Sequence, residues 1–372
     1  MSQKNAVHSR LLEILSIAIN GEHAQAVLSL QEMAEVQRLA HAHTVDGLLA
    51  DMVLRGQAEV KCRSDEGNRK RSLVMELVGI EQQHRTVKSN FDVALSELTL
   101  LLNEGEIDFV VFKGPAVASL YASPWSRTMG DIDFYVPEWD YERALSLIQQ
   151  KLKLTVERCD VDKHDSFSYK GIRFEMHYRM ETFGAEKHQR YFSALADKEI
   201  REGRLRHFSV SNGVLVPMLS PEVDLILVFK HMFNHLIGEG VGLRQVTDVA
   251  VLIHAYAPTL NVSALREHLQ NIGYLKAFDA MVALVGRYYK VCWEGYRDLL
   301  SPKDFRMADM LMADILKNGN FGRMDYKYIS GWRKRVETTF RFFANCAKYF
   351  CLAPWEIMCL VPKRVCISLN AH

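Results

Sequence analysis

Between Phe112 and Val136 the sequence FKGPAVASLYASPWSRTMGDIDFYV joins a Lys-Gly turn to an Asp-Ile-Asp strand, and this stretch restricts the fold more than any other. A mostly apolar run, Ile107–Phe112, leads into Lys113-Gly114; a helix-compatible segment follows, and Asp131 and Asp133 then open a second apolar strand. Strand residues alternate faces, so Asp131 and Asp133 point one way while Ile132 and Phe134 enter a core. Two carboxylates placed side by side repel each other unless a cation or a proton intervenes. Beside a glycine turn they read as a divalent-metal site next to a phosphate-binding loop.

The rhythm on either side of this stretch is helical. Leu11, Leu12, Ile14, Leu15 and Ile19 recur at helical spacing, and the same period is read for Val27, Leu28, Leu30 and Met33. Gly21 and Gly56 mark turns, and a long amphipathic segment, Leu73 to Leu102, leads to the first strand. From Ile107 to about Val216 short strands and helices alternate: Glu138–Leu152 is predicted helical, and Asp165–Met180 is predicted to be a hairpin turning at Lys170-Gly171. Ser220-Pro221 followed by Glu222 starts a second helical region. The fold class is α+β, with a helical region at 1–102, an α+β core at 103–218 and a helical domain at 219–372.

Bulk properties narrow the function classes. The formal charge of +1 gives no global field for nucleic acid, and no run of about 18 apolar residues suggests a membrane span. The start, MSQKNAVHSRLLEIL, does not read as a signal peptide. Seven cysteines, an odd number without a Cys-x-x-Cys pair, suit reduced thiols in a cytoplasm.

Several residues outside the opening stretch bear on its chemistry. Arg173, Glu175 and His177 share one face of the strand IRFEMHYR, with Phe174, Met176 and Tyr178 on the other. If that strand lies beside Asp131–Asp133, Glu175 is a third carboxylate, suited to one or two Mg²⁺ ions; otherwise Glu175 and His177 form the solvent face of a hairpin. Gly114 permits close backbone approach to phosphate, and Lys113 either neutralises a phosphate or stands in solvent. Arg127 either clamps a phosphate or pairs with Asp131. His231 and His235, at i and i+4, have metal-ligand spacing but no evident acidic partner, so a structural role is expected. Arg244 and Asp248 are expected to pair along a helix, or to frame the pocket if the helical domain folds over it. The basic and aromatic segment Trp332–Cys366 is expected to pack its aromatic face on the body, with Pro354 and Glu356 interrupting any extended apolar face; a membrane-surface or RNA-binding helix is the alternative.

The pattern from VVFKGPAVASLY through R-x-x-x-DIDFYV to FEMHYR resembles the uncharacterised nucleotidyltransferase family of the DNA polymerase β-like superfamily. The flanks LAHAHTVDGLLADMV, LSPEVDLILVFKHMFNHL, GLRQVTDVAVLI and LKNGNFG resemble it too, so the likeness covers most of residues 10 to 325. It implies a small mixed sheet flanked by helices. It further implies Gly114 as the phosphate-loop glycine, Asp131 and Asp133 as shared ligands of two Mg²⁺ ions (Mn²⁺ being possible), and Glu175 as third carboxylate and base. The implied reaction moves a nucleoside monophosphate from an NTP, with ATP among the candidates, to an unknown hydroxyl or amine on a small molecule, protein or RNA. Pro115 departs from the superfamily, where serine or glycine is common, and removes one N–H donor to phosphate. Three rivals stand beside this reading: a toxin–antitoxin-type nucleotidyltransferase acting on tRNA, a metal-dependent glycosyltransferase, and a degenerate nucleotide-binding or scaffold protein.

Overall fold

The computed structural model describes residues 3–21, 25–159, 163–320 and 331–370. Helix α1 (Gln3–Asn20) ends at Gly21, whose φ of +64° turns the chain. Strand β1 (Ala26–Ser29), helices α2 (Leu30–Ala42) and α3 (Asp46–Leu54) and strand β2 (Ala58–Lys61) follow. β1 and β2 pair in parallel, so the helical period predicted through Val27 and Leu28 is corrected. Ala26 and Leu28 are buried on one strand face, and a short apolar run cannot by itself separate the two periods. Helix α2 begins instead at Ser29, whose hydroxyl accepts from the Glu32 N–H while its own N–H donates to the Glu32 carboxylate. Helix α4 (Gly67–Glu104) then spans 38 residues and leads to the sheet.

The central sheet is built from β3 (Val110–Phe112), β4 (Ile132–Tyr135), β5 (His164–Tyr169) and β6 (Ile172–His177), with helices α5 (Gly114–Ala118) and α6 (Tyr141–Leu152) between strands. Helix α6 starts three residues later than predicted, because Pro137 to Asp140 close a turn first. Its strand order is β3-β4-β6-β5, with β4 and β6 parallel and both outer pairs antiparallel, a mixed sheet. The hairpin between β5 and β6 turns at Lys170-Gly171 with φ of +52° and +76°, the sign pattern of a type I′ turn. Ile132, Phe134, Phe174 and Met176 point to one side, where helices α4 and α6 cover them. Full burial of each contributes about 1.5–3 kcal/mol.

Val110, Phe112 and Tyr135 face the other side, into a core that also contains α1–α3 and the later helices. Those later elements are α7 (Glu186–Arg201), the hairpin β7 (Arg206–Ser209) and β8 (Leu215–Met218), α8 (Pro221–Gly238), α9 (Leu243–Tyr256), α10 (Val262–Asn271), α11 (Leu275–Tyr288), α12 (Glu294–Arg297), α13 (Pro302–Asn318), α14 (Gly331–Tyr349) and α15 (Pro354–Asn370). Ser220 caps α8 with Pro221 at its first position, as predicted. The N- and C-terminal helices therefore meet on the sheet face that carries Asp133.

Helix α14 buries Phe342, Cys346 and Tyr349 but leaves Phe340 exposed, and Trp355 and Met358 of α15 are exposed as well. Pro354 opens α15 rather than interrupting it. Glu356 turns inward, fully buried, and accepts from the Gly184 and Ala185 N–H groups and the Tyr274 hydroxyl. The side chains of Trp332, Arg335 and Cys366, and residues Phe321 and Gly322 of the LKNGNFG segment, lie outside the described residues. Among the described residues no helix is long and apolar enough to cross a membrane.

Candidate active site

Lys113 stands where β3 gives way to α5, with φ 56° and ψ −135°. A non-glycine residue in that region stores about 1–3 kcal/mol of strain. The strained turn directs the lysine inward, so the side chain is buried with Nζ 3.3 Å from Asp133 Oδ1. The unusual backbone thus falls on Lys113 and not on Gly114. Glycine is still needed at 114, because a Cβ there would lie 3.0 Å from the Asp131 carbonyl oxygen. Pro115 occupies the second position of α5, a helix of only five residues.

Asp131 lies one residue before β4, and Asp133 lies within it, only 4% exposed. The parallel register of β4 and β6 sets Glu175 opposite Asp133. All three carboxylates line one cavity, and their electrostatics register their proximity. Burial, Asp133 and Glu175 together raise the Asp131 carboxyl above its usual range. Burial alone would also raise Asp133, but Lys113, His177 and His231 outweigh it and hold that carboxyl well below the usual range. Burial likewise opposes ionisation of Glu175, yet contacts with His177 and His164 hold its carboxyl below the ordinary value. Repulsion among oxygen donors that share one face is what a divalent cation relieves, so the donor set suits Mg²⁺ chemically.

His177 is fully buried, its Nε2 2.8 Å from Asp133 Oδ1. The solvent-face alternative for this residue is thereby corrected: burial along the strand's polar face runs from the exposed Arg173 through the half-buried Glu175 to the buried His177.

Arg127 does not pair with Asp131. Its Nε and Nη2 donate to the two oxygens of Asp248 on α9 at 2.8 and 2.9 Å, and the Tyr121 hydroxyl donates to Oδ1 at 2.6 Å. This corrects two expectations, because the Arg244–Asp248 pair along α9 is also absent. Asp248 faces the sheet and takes the arginine that reaches it bidentately. Arg244 instead borders the cavity, with one long contact of 3.5 Å from Nη1 to the Thr128 carbonyl and a buried Nε that finds no partner.

His231 has an acidic partner after all: its Nδ1 lies 2.9 Å from Glu181 Oε2. Glu181 follows β6 in the chain and also receives Lys163 Nζ and Asn234 Nδ2, at 2.7 and 2.9 Å. His235 Nε2 stands 3.2 Å from His231 Nε2, and both rings face the cavity. Burial, followed by the charge of Lys113, lowers His231 to about 3. Burial lowers His235 to about 4 against the opposing pull of Glu181. Both are neutral near pH 7.

The cavity so enclosed measures about 360 Å³ and lies between the sheet and helices α8 and α9, within the size range of small-molecule sites. Lys113, Arg127, Lys163 and Arg244 line it together with Asp131, Asp133, Glu175 and Asp248. All six residues predicted for the site, namely Lys113, Gly114, Arg127, Asp131, Asp133 and Glu175, are thus brought to one cavity. Sequence reasoning did not single out His164, Lys163 or Glu181. His164 was detectable as the residue that alternation in HDSFSY places on the same face as Ser166, whereas Glu181 lies in an irregular segment with no period to reveal it.

Comparison with known proteins bears on the family of the chain. A crystal structure of an antigenic nucleotidyltransferase-like protein from Paracoccidioides brasiliensis is similar over 54% of this chain and 92% of that chain, at 12% identity and a TM-score of 0.33. No curated protein matches the chain significantly. Residues 29–290 match the model of the family described as uncharacterised nucleotidyltransferase, a span that includes every residue lining the cavity. More than two thirds of the sequence is matched, and the chain belongs to the uncharacterised nucleotidyltransferase family.

Proposed function

We propose that this chain transfers a nucleoside monophosphate from an NTP to an acceptor hydroxyl or amine and releases pyrophosphate, with Mg²⁺ as the activating ion. The observation that carries the reading is the parallel β4–β6 register. It sets Asp133 against Glu175, with Asp131 two residues away, inside a cavity rimmed by lysine and arginine.

Asp131, Asp133 and Glu175 are the residues that would hold the ions, which when bound neutralise the triphosphate and acidify the acceptor hydroxyl. Gly114 leaves room for a phosphate to approach the backbone. Lys113, held beside Asp133, supplies a fixed positive charge to the same region. Arg244 is the lining cation with no carboxylate within ion-pair distance among the described residues, which leaves its guanidinium for a phosphoryl oxygen. Glu175 is ionised at neutral pH and accepts the acceptor's proton, with Asp133 as the second carboxylate able to do so. Glu181 ties Lys163, next to the start of β5, to His231 of α8.

The test uses NTPs labelled at the α-phosphate, with a panel of small hydroxyl and amine acceptors, total tRNA, and the protein itself as acceptors. Label entering an acceptor together with pyrophosphate release is expected. Asp131→Ala and Asp133→Ala are expected to reduce it by about 10²–10³-fold or more while leaving the melting curve cooperative. Full transfer by either variant would sink the assignment. Extension of tRNA alone would identify the tRNA-modifying rival.

A further inference from the structure

Glu175 sits between two imidazoles. Register places His164 of β5 directly across from His177 of β6, with ring centroids 4.8 Å apart. Both Nε2 atoms approach the same oxygen, Glu175 Oε2, at 3.5 Å from His164 and 3.7 Å from His177. Two ligand atoms about 2.1 Å from one ion at a tetrahedral angle are about 3.4 Å apart. The observed spacings match that edge, and the ligand atoms of all three residues lie within 4.8 Å of one another.

A second observation comes from the protons of His177. Its Nδ1 faces the Arg179 carbonyl oxygen at 3.3 Å, and its Nε2 faces Asp133 Oδ1 at 2.8 Å. Both partners are acceptors, while a neutral imidazole carries one N–H. If Nδ1–H donates to the carbonyl, the Nε2 lone pair points at two carboxylates; Lys113 Nζ offsets Asp133 from 3.3 Å, and a cation at Nε2 would offset the rest. An imidazole that gives its other N–H to a backbone carbonyl is the usual orientation of a metal-ligating histidine.

We infer that His164, Glu175 and His177, with Asp133 adjacent, form a mixed nitrogen and oxygen site for a divalent transition-metal ion of the Mn²⁺ to Zn²⁺ series. Imidazole donors favour such ions, whereas Mg²⁺ prefers an all-oxygen shell. The site shares Glu175 and Asp133 with the proposed nucleotidyl-transfer centre, so it adds an ion class to that reading, but ion binding can be observed whether or not transfer occurs. Its failure and that of the transfer reading are therefore separable.

The experiment titrates the full-length metal-free protein with Zn²⁺, Mn²⁺ and Mg²⁺ by calorimetry, and records pulsed electron paramagnetic resonance of the Mn²⁺ complex. Expected results are Zn²⁺ and Mn²⁺ binding at least about tenfold tighter than Mg²⁺, and ¹⁴N coupling from coordinated imidazole. His164→Ala, at a partly exposed position, is expected to weaken Zn²⁺ binding by about 10–100-fold with Mg²⁺ binding unchanged. His177→Gln is the second variant, read only where its melting curve matches the wild type. Mn²⁺ binding without nitrogen coupling, equal Zn²⁺ affinity in wild type and His164→Ala, or no transition-ion binding at all would overturn the inference.

Discussion

Removing the Asp248 carboxylate is expected to damage the fold out of proportion to one side chain. Asp248 accepts three hydrogen bonds, two from Arg127 and one from Tyr121, and the side chains of the ion pair are only 5% and 7% exposed. The pair fastens α9 to the segment just before β4, so it sets how the helical region sits over Asp131 and Asp133. Asp248→Ala leaves a guanidinium and a phenol buried without their acceptor, and breaking a buried pair in this way costs about 3–5 kcal/mol. The paired substitution Arg127→Met with Asp248→Leu removes both charges, and its expected cost lies near zero, because desolvation offsets most of the Coulomb gain of a buried pair. Urea denaturation of the wild type, the single variant and the double variant measures both differences. A loss below about 1 kcal/mol for Asp248→Ala, the range of exposed ion pairs, would refute the reasoning. A double variant as unstable as the single one would refute it equally.

Acid is expected to destabilise the protein through histidines buried in the neutral form. Burial, with a smaller push from His8, lowers His43 to about 4, and His235 and His231 stand at about 4 and about 3. Below the ordinary value near 6.5 the unfolded chain binds protons that the folded chain refuses. Stability therefore falls as pH drops from about 6.5 towards 4, by about 1.4 kcal/mol per pH unit for each histidine. Denaturation midpoints across that window check the slope, and His43→Asn is expected to flatten it. Gly47→Ala would bring a Cβ to 2.4 Å from the Ser126 carbonyl, beside Arg127, and is expected to cost about 1–3 kcal/mol by overpacking. An unchanged melting temperature would contradict the close packing of α3 on that turn. Glu356→Ala strips the acceptor from the Gly184 and Ala185 N–H groups and from His188 and is expected to cost about 3 kcal/mol or more, with proteolysis reading whether α15 detaches first.

What the sequence revealed and what it concealed divide along physical lines. Period-2 alternation put Asp131 with Asp133, and Arg173 with Glu175 and His177, on one face of their own strands but left open whether the two strands are neighbours, which the β4–β6 pairing supplies; Lys170-Gly171 announced its own turn because few residue pairs tolerate two positive φ values. Ser220-Pro221 was legible for a similar reason: a cap and a fixed φ act locally. The Arg127–Asp248 pair was not legible, since its members stand 121 residues apart and each had a nearer candidate partner, Asp131 and Arg244. Glu181 escaped because it lies in irregular backbone, and its partners Lys163 and His231 are far apart in the chain, before β5 and on α8. Strands β1 and β2 are four residues each, too short for a period to show. The strain at Lys113 was not legible, since nothing in a lysine side chain marks a positive φ.

The central claim is that the carboxylates of this cavity bind an NTP through a divalent ion. Calorimetric titration of a nonhydrolysable NTP into the wild type and Asp133→Asn, with Mg²⁺ and with chelator, tests it most directly. Binding is expected to require the ion and to be lost in Asp133→Asn while the melting curve of that variant remains cooperative. Equal binding in chelator, equal binding by Asp133→Asn, or no binding of any of the four NTPs by the wild type would contradict it.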